Sequence, residues 1–396
     1  MANNNENKIL NVPNLRFPEF SGEWKKMKVS ELLDFYSTNS LSWEQLDYNN
    51  GKIKNLHYGL IHKGVPTMVD VACDYLPYIK EESMPKSFTL FKEGDVAFAD
   101  ASEDTNDVAK AIEVVNCDNQ QIVSGLHTIH GRDNSNQTII GYKGYAFASD
   151  SFHKQIRRIA QGTKVFSIST RNFDEVYIGI PSKEEQTKIA KLLIAIDKRI
   201  ATQTKIIEDL KKLKSAISHI LFSSKGAIHL SEIANVVMGQ SPSSNAYNDQ
   251  GLGMPLVQGN LDISNGKTTP RLYTAEFNQT TEKGNIILTV RAPVGEVAKA
   301  TQKVCLGRGV CAIIPHEENM SDFIYQYLTF YKFMWRRYEQ GSTFTSINGS
   351  DVRNIFCPKV RNVSILTLLD IKINIEEREV KQYQSQKQYM LYQMFI

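Results

Sequence analysis

Two stretches of this chain carry the same apolar stripe 173 residues apart, and that repeat constrains the fold more than any other feature. Over residues 184–222, Ile189, Leu193, Ile196, Ile200, Ile207, Leu210, Leu213, Ile217 and Leu221 recur mostly in steps of three and four, with Gln203 at one seam position. This spacing makes a helix with an apolar seam of the coiled-coil kind. Ser182 and Glu185, just after Pro181, form a capping-box signature at its start. Shifted by 173, Ile196 meets Leu369, Ile200 meets Ile373 and Ile207 meets Val380. Leu210 meets Tyr383, Ile217 meets Met390 and Leu221 meets Met394, with no gap. Asp197 also falls on Asp370 and Phe222 on Phe395, which apolar periodicity alone does not demand. The second helix, from about Ile365 to the C-terminus, therefore reads as a copy of the first.

The segments ahead of the helices echo each other too. VSELL (29–33) parallels LSEIA (230–234), and GDVAFADASEDTNDVAKA (from Gly94) parallels GNIILTVRAPVGEVAKA (from Gly284). Ile156-Arg157-Arg158 with Gln161-Gly162 parallels Trp335-Arg336-Arg337 with Gln340-Gly341, and Ser167-Ile168 parallels Ser346-Ile347. The order is conserved within the chain, so the whole plan is duplicated with a period of about 180 residues. Strand-like runs at 95–98, 121–123, 285–290 and 310–314 are separated by Gly/Asn/Asp turns. Helices are expected over 321–338 and, shorter, over 151–159. The fold class is α+β: two globular β-rich domains separated by two long antiparallel coiled-coil-like helices. The expected boundaries are a disordered 1–13, a first domain 14–180, a helix 181–225, a second domain 226–358 and a helix 359–396.

Composition narrows the function classes. A net charge of +3 and a pI near 8.4 permit nucleic acid without requiring it. Five cysteines without C-x-x-C spacing read as reduced, mostly buried thiols of a cytoplasmic protein. No apolar run approaches a membrane span. There is no phosphate loop, no G-x-G-x-x-G opening a helix, no H-E-x-x-H and no N-P-P-Y-type methylation motif. His127 and His130 lie three apart in a strand-like run and point to opposite faces, which disfavours a shared metal. Glu19 with Glu23-Trp24-Lys25 is too closely spaced for a β-rich nuclease site and reads as a lead-in segment.

What remains is a set of basic, amide, hydroxyl and aromatic side chains in Gly-rich loops. In the first module these are Lys52, Lys54, Tyr58, Lys63, Arg132, Lys143 and Tyr145, with His57 and His62 alongside. In the second they are Gln240, Ser241, Asn245, Tyr247, Lys267, Arg271, Arg291, Arg308, Thr343 and Thr345. Arg and Lys engage phosphates or guanine edges, and Asn and Gln suit adenine edges. The blander reading of each one alone is a solvated surface residue.

With these features in view, residues 14–396 resemble the specificity (S) subunit of type I restriction-modification systems, the HsdS family. LRFPEFSGEWKKMKVSELL (15–33) is similar to the lead into that family's first target-recognition domain, and GQSPSSNAYN (239–248) followed by GNL to the start of the second. IPSKEEQTKIAKLLIAIDKRI (180–200) looks like its central helical region, the most specific of the three matches. The resemblance implies that each module binds one half of a bipartite double-stranded DNA target. It implies that the helices set the spacing and dock two methyltransferase subunits, joined by restriction/translocase subunits. A helix of about 35 residues is roughly 50 Å long, against about 34 Å for one turn of duplex. S-adenosylmethionine, ATP and magnesium would sit on the partners, adenine methylation would be theirs, and this chain would bind no cofactor and no metal and catalyse nothing. One departure stands out: Pro181 precedes Asp197 by sixteen residues, but Pro358 precedes Asp370 by only twelve, and the second approach lacks E-E-Q. The alternative is a two-domain adaptor on a helical rod that binds no DNA. It accounts for the duplication but not for the loop chemistry. A self-sufficient nuclease has no motif behind it.

Overall fold

The computed structural model describes residues 11–223, 228–337, 346–359 and 362–396, with only the backbone of Phe333, Arg336 and Arg337. Its four long helices are α1 (Asp150–Ile159), α2 (Lys183–Phe222), α3 (Ser321–Tyr331) and α4 (Ser364–Gln393). The chain forms two compact units, residues 1–202 with 380–396 and residues 203–379. Each unit therefore takes half of α2 and half of α4.

In the first unit, Lys25–Lys28 pairs antiparallel with Tyr177–Ile180 and closes the base of the module. A five-stranded sheet runs in the order Asp34–Tyr36, Thr128–Arg132, Val96–Ala99, Ala111–Asn116, Met68–Asp70. A four-stranded sheet carries a parallel pair, Gln121–Ser124 beside Ile53–Leu56. The four residues of Val96–Ala99 are all buried, as befits a central strand covered on both faces. The main core gathers Trp24, Phe98, Tyr142, Phe147, Phe152 and Phe173 against Ile189 and Leu193 of α2 and Leu391, Met394 and Phe395 at the C-terminal end.

The second unit repeats this plan. Ile228–His229 pairs with Phe356–Cys357 at its base. A six-stranded sheet is centred on Val310–Pro315 and Ile286–Thr289, and a five-stranded sheet carries the parallel pair Met254–Val257 and Val304–Leu306. Phe222 enters this core beside Phe323, Tyr327 and Phe330, as Phe395 enters the first core beside Tyr142. The Phe222/Phe395 match in sequence is thus a shared role: Phe222 ends α2, and Phe395 follows α4 by two residues, each inside a module core.

One ion pair of the seam is likewise duplicated. In the first unit Asp197 accepts from Lys387 and from the Tyr145 hydroxyl at 2.8 Å. In the second, Asp370 accepts from Lys214 at 2.5 Å and from Gln326 at 2.7 Å. Lys214 and Lys387 are themselves 173 residues apart, so one ion pair occurs twice with the helices exchanged. Ile196, Ile207 and Ile373 are buried, and Ile200, Leu210, Ile217, Leu369, Val380, Tyr383 and Met390 are half-buried, along the seam. Leu213 departs from the expected stripe: it is 48% exposed, because the seam position is taken by Lys214 and its partner Asp370.

Four further expectations need correction. The capping box is half formed: Ser182 Oγ accepts from the Glu185 N–H, but the Glu185 carboxylate is held by Arg16 at 2.7 Å. The disorder expected over 1–13 does not extend to its last residues, since Asn11 O accepts from the Trp24 N–H. The helix expected over 321–338 ends its α-helical part at Tyr331 and continues as a 3₁₀ segment, Lys332–Arg337. Two of the five thiols, Cys73 and Cys117, are not buried. Among the described residues no helix is long and apolar enough to cross a membrane.

Candidate nucleic-acid interface

Each module has one turn at which three separate loops meet. In the second unit it is the turn between Val304–Leu306 and Val310–Pro315. Gln240 N–H donates to Leu306 O (2.9 Å), Gly239 N–H to Val310 O (2.9 Å) and Gly307 N–H to Val257 O (2.8 Å). Val290 N–H donates to Gly309 O (2.9 Å), and Arg308 N–H to Ser241 Oγ (3.0 Å). The approach is too close for side chains. A Cβ on Gly239 would lie 2.1 Å from Gly307 O, and one on Gly309 would lie 2.1 Å from Gln258 O.

The first unit builds the same turn from 124–128. Asn39 N–H donates to Ser124 O (3.2 Å), Gly125 N–H to Leu56 O (2.9 Å) and Asp100 N–H to His127 O (3.1 Å). Next to it, Ile168 N–H bonds Asp100 O as Ile347 N–H bonds Val290 O. The scaffold is therefore common, and the side chains on it are not. Where the second unit carries Gln240, Gln258, Arg291 and Arg308, the first carries Asn39, His57, Ala101 and Leu126.

Aromatic and imidazole rings pack beside the first turn. Trp43 lies against His57 (centroids 4.2 Å), His57 against Tyr58 (4.7 Å) and Tyr58 against His127 (5.3 Å). His57 Nδ1 accepts from the Gly59 N–H, and burial, reinforced by neighbouring His127, pushes its pKa below the usual imidazole value. His127 adopts φ +53° and meets Asp100 at 3.2 Å. Burial raises the Asp100 pKa, with His127 opposing it.

The candidates from sequence separate into two groups. Gln240, Ser241, Arg291 and Arg308 are brought together at the second turn. Arg271 is tied to it through Asp262, which it meets at 3.1 Å and which also receives the Gln258 N–H. Asn245 follows, exposed, while Tyr247 is half-buried in a short strand and donates its hydroxyl to Pro242 O at 3.2 Å. Lys267 lies elsewhere, in a groove with Tyr325 and Asp370 beside α3 and α4. Tyr58 belongs to the first turn. Lys52 and Lys63 are exposed, Lys52 facing Glu81. Thr343 and Thr345 lie outside the described residues.

Four first-module candidates serve the fold instead. Lys54 is 7% exposed and donates to Val71 O at 2.9 Å. Lys143 is 3% exposed and bonds Thr138 Oγ1 and Glu113, a fully buried carboxyl whose pKa burial drives upward. Tyr145 is fully buried on Asp197. Arg132 grips Asp95 with two nitrogens, at 2.8 and 2.6 Å, and His130 joins at 2.8 Å. Burial pushes the Asp95 pKa up, but these two partners outweigh it and hold it below the usual carboxylate range. Sequence reasoning missed Asn39, Asp100 and Gln258, and weighed His127 only as a metal ligand. The available signal was the recurrence of a glycine-bearing turn, SGLH (124–127) and LGRG (306–309), before each strand.

The chain matches the family model of the type I restriction modification DNA specificity domain twice, over residues 21–212 and 226–382. It is 27% identical over 405 residues to a protein of Methanocaldococcus jannaschii named as the MjaX specificity subunit of a type I restriction enzyme, covering 93% of this chain and 92% of that one. Its fold is similar to the crystal structure of a type I restriction-modification S subunit from M. genitalium, with a TM-score of 0.62 and 19% identity over 97% of this chain and 99% of that one. A chain from a structural study of complex assembly and conformational transition in the type I R-M system gives a TM-score of 0.58 and 19% identity, over 93% and 96%.

Proposed function

Since the chain belongs to the type I restriction modification DNA specificity family, and is the non-catalytic specificity subunit of such a system acting with its other subunits and DNA, we propose that each unit reads one half of a bipartite duplex target through its three-loop turn. The observation that carries this reading is the contrast between three backbone hydrogen bonds that recur at both turns and the side chains that differ on them. A duplicated frame with divergent tips suits two readers of different sequences. Buried strands behind each turn fix the tip, and exposed loops carry the variable chemistry.

The halves of α2 and α4 in each unit are the docking elements for methyltransferase subunits, two per complex, and their length sets the gap in the target. Restriction/translocase subunits complete the assembly. S-adenosylmethionine, ATP and magnesium belong to those partners. The chain supplies positioned side chains and no chemistry.

The test is binding of randomised duplex DNA by the chain reconstituted with its methyltransferase subunit. One bipartite sequence should be enriched, with affinity falling steeply as salt rises. The chain alone should neither cleave nor methylate DNA. Equal retention of all sequences would sink the reading.

A further inference from the structure

Resting on that half-site reading, we infer that Arg308 is the specificity-determining residue of the second unit and reads a guanine in its half of the target. Three observations converge on it.

Its backbone is fixed. Arg308 stands between Gly307 and Gly309 in a turn closed by Val310 N–H to Gly307 O (3.1 Å), and its own N–H is held by Ser241 Oγ (3.0 Å). Both glycines are required by contact: a Cβ on Gly307 would come within 2.7 Å of the Gln258 side chain, and one on Gly309 within 2.1 Å of the Gln258 carbonyl. The flanking strands are buried throughout Val304–Leu306 and at Val310, Cys311 and Ala312.

Its guanidinium has no ion-pair partner among the described residues, and Arg308 is exposed. Arg132 and Arg271, by contrast, are committed to Asp95 and Asp262. An anchored Cα with an uncommitted planar fork is what bidentate recognition requires. Five fixed N–H donors match guanine O6 and N7 in the major groove. A phosphate contact would need only charge, which a mobile lysine supplies.

It belongs to the tip and not to the frame. The equivalent residue on the first turn is Leu126, which leaves every shared backbone hydrogen bond in place. Arg291 stands beside it through the Val290–Gly309 bond, and Gln240 through the Gln240–Leu306 bond. The second tip is thus cationic, while the first presents His127 beside Asp100.

The experiment enriches randomised duplex with the full-length chain in complex with its methyltransferase subunit, and compares the parent with Arg308→Lys and Arg308→Ala. Thermal melting of each variant checks the fold. Both variants should lose preference at one G·C position in one half of the motif, by roughly 10- to 100-fold, with the other half unchanged. An unaltered motif with Arg308→Lys overturns the assignment and leaves a phosphate contact. Changes spread over both halves overturn it too. A parent complex that enriches no bipartite motif sinks the half-site reading itself, a different failure.

Discussion

Lysines and tyrosines that look alike in sequence do opposite jobs here. Tyr145→Phe removes one hydrogen bond to Asp197 and should cost about 1 kcal/mol of stability without altering DNA affinity. Lys143→Met leaves the buried Glu113 carboxyl without its cation and should cost about 3–5 kcal/mol in urea denaturation. Loss of DNA binding with stability intact, in either variant, would return that residue to the interface. His153 gives a pH dependence. Burial, helped by the Arg157 charge, lowers its pKa to about 4, and its Nδ1 is sealed from solvent with no partner among the described residues. The unfolded chain takes up this proton near pH 6.5, while the folded chain resists until about 4. Stability from this group is therefore complete above about 6.5 and declines as pH falls toward 4, by up to about 1.4 kcal/mol per unit. His153→Phe should flatten that decline in denaturation curves at pH 7, 5.5 and 4.5. An unchanged slope would refute the assignment. None of this was legible in the sequence, because a Lys donating to a buried carboxyl and a Lys facing solvent are the same letter in the same kind of loop.

At the scale of elements, the helices were readable and the tips were not, for one physical reason. A seam repeats every three or four residues, so its pattern is local, and the 173-residue shift then exposed the copy. Each tip gathers segments far apart in the chain, near residues 240, 258, 290 and 308 in the second unit, and only backbone pairing unites them. Even the seam held one surprise, where Lys214 displaced Leu213 because Asp370 stands opposite. That pair offers a test. Lys214→Asp and Asp370→Lys should each destabilise the second unit, and the double variant should recover part of the loss. A coupling of about 0.5–3 kcal/mol is expected from the cycle, and strict additivity would mean the contact contributes nothing. The helix starts also differ. Glu185 and Gln186 are buried at the head of α2, where Gln186 accepts from Ile139 N–H and donates to Gln137 O and Pro181 O. At α4, Asn362 Oδ1 caps the Ser364 N–H. The four residues missing before the second helix are thus matched by a simpler beginning.

Over the whole molecule, exchange of residues 226–358 for those of a relative should change one half of the enriched DNA motif and leave the other as it was. A change in both halves would deny the units their separate roles. The chain's two units are not equivalent in how they are stitched. The second lies within one continuous stretch, 203–379, whereas the first borrows 380–396 from the far end. Leu391, Met394 and Phe395 fill its core, and Leu15 N–H bonds Gln393 O. A chain cut after residue 390 would lose those core side chains of the first unit and keep the whole of 203–379. Limited proteolysis of such a truncated chain should therefore digest the first unit and spare the second.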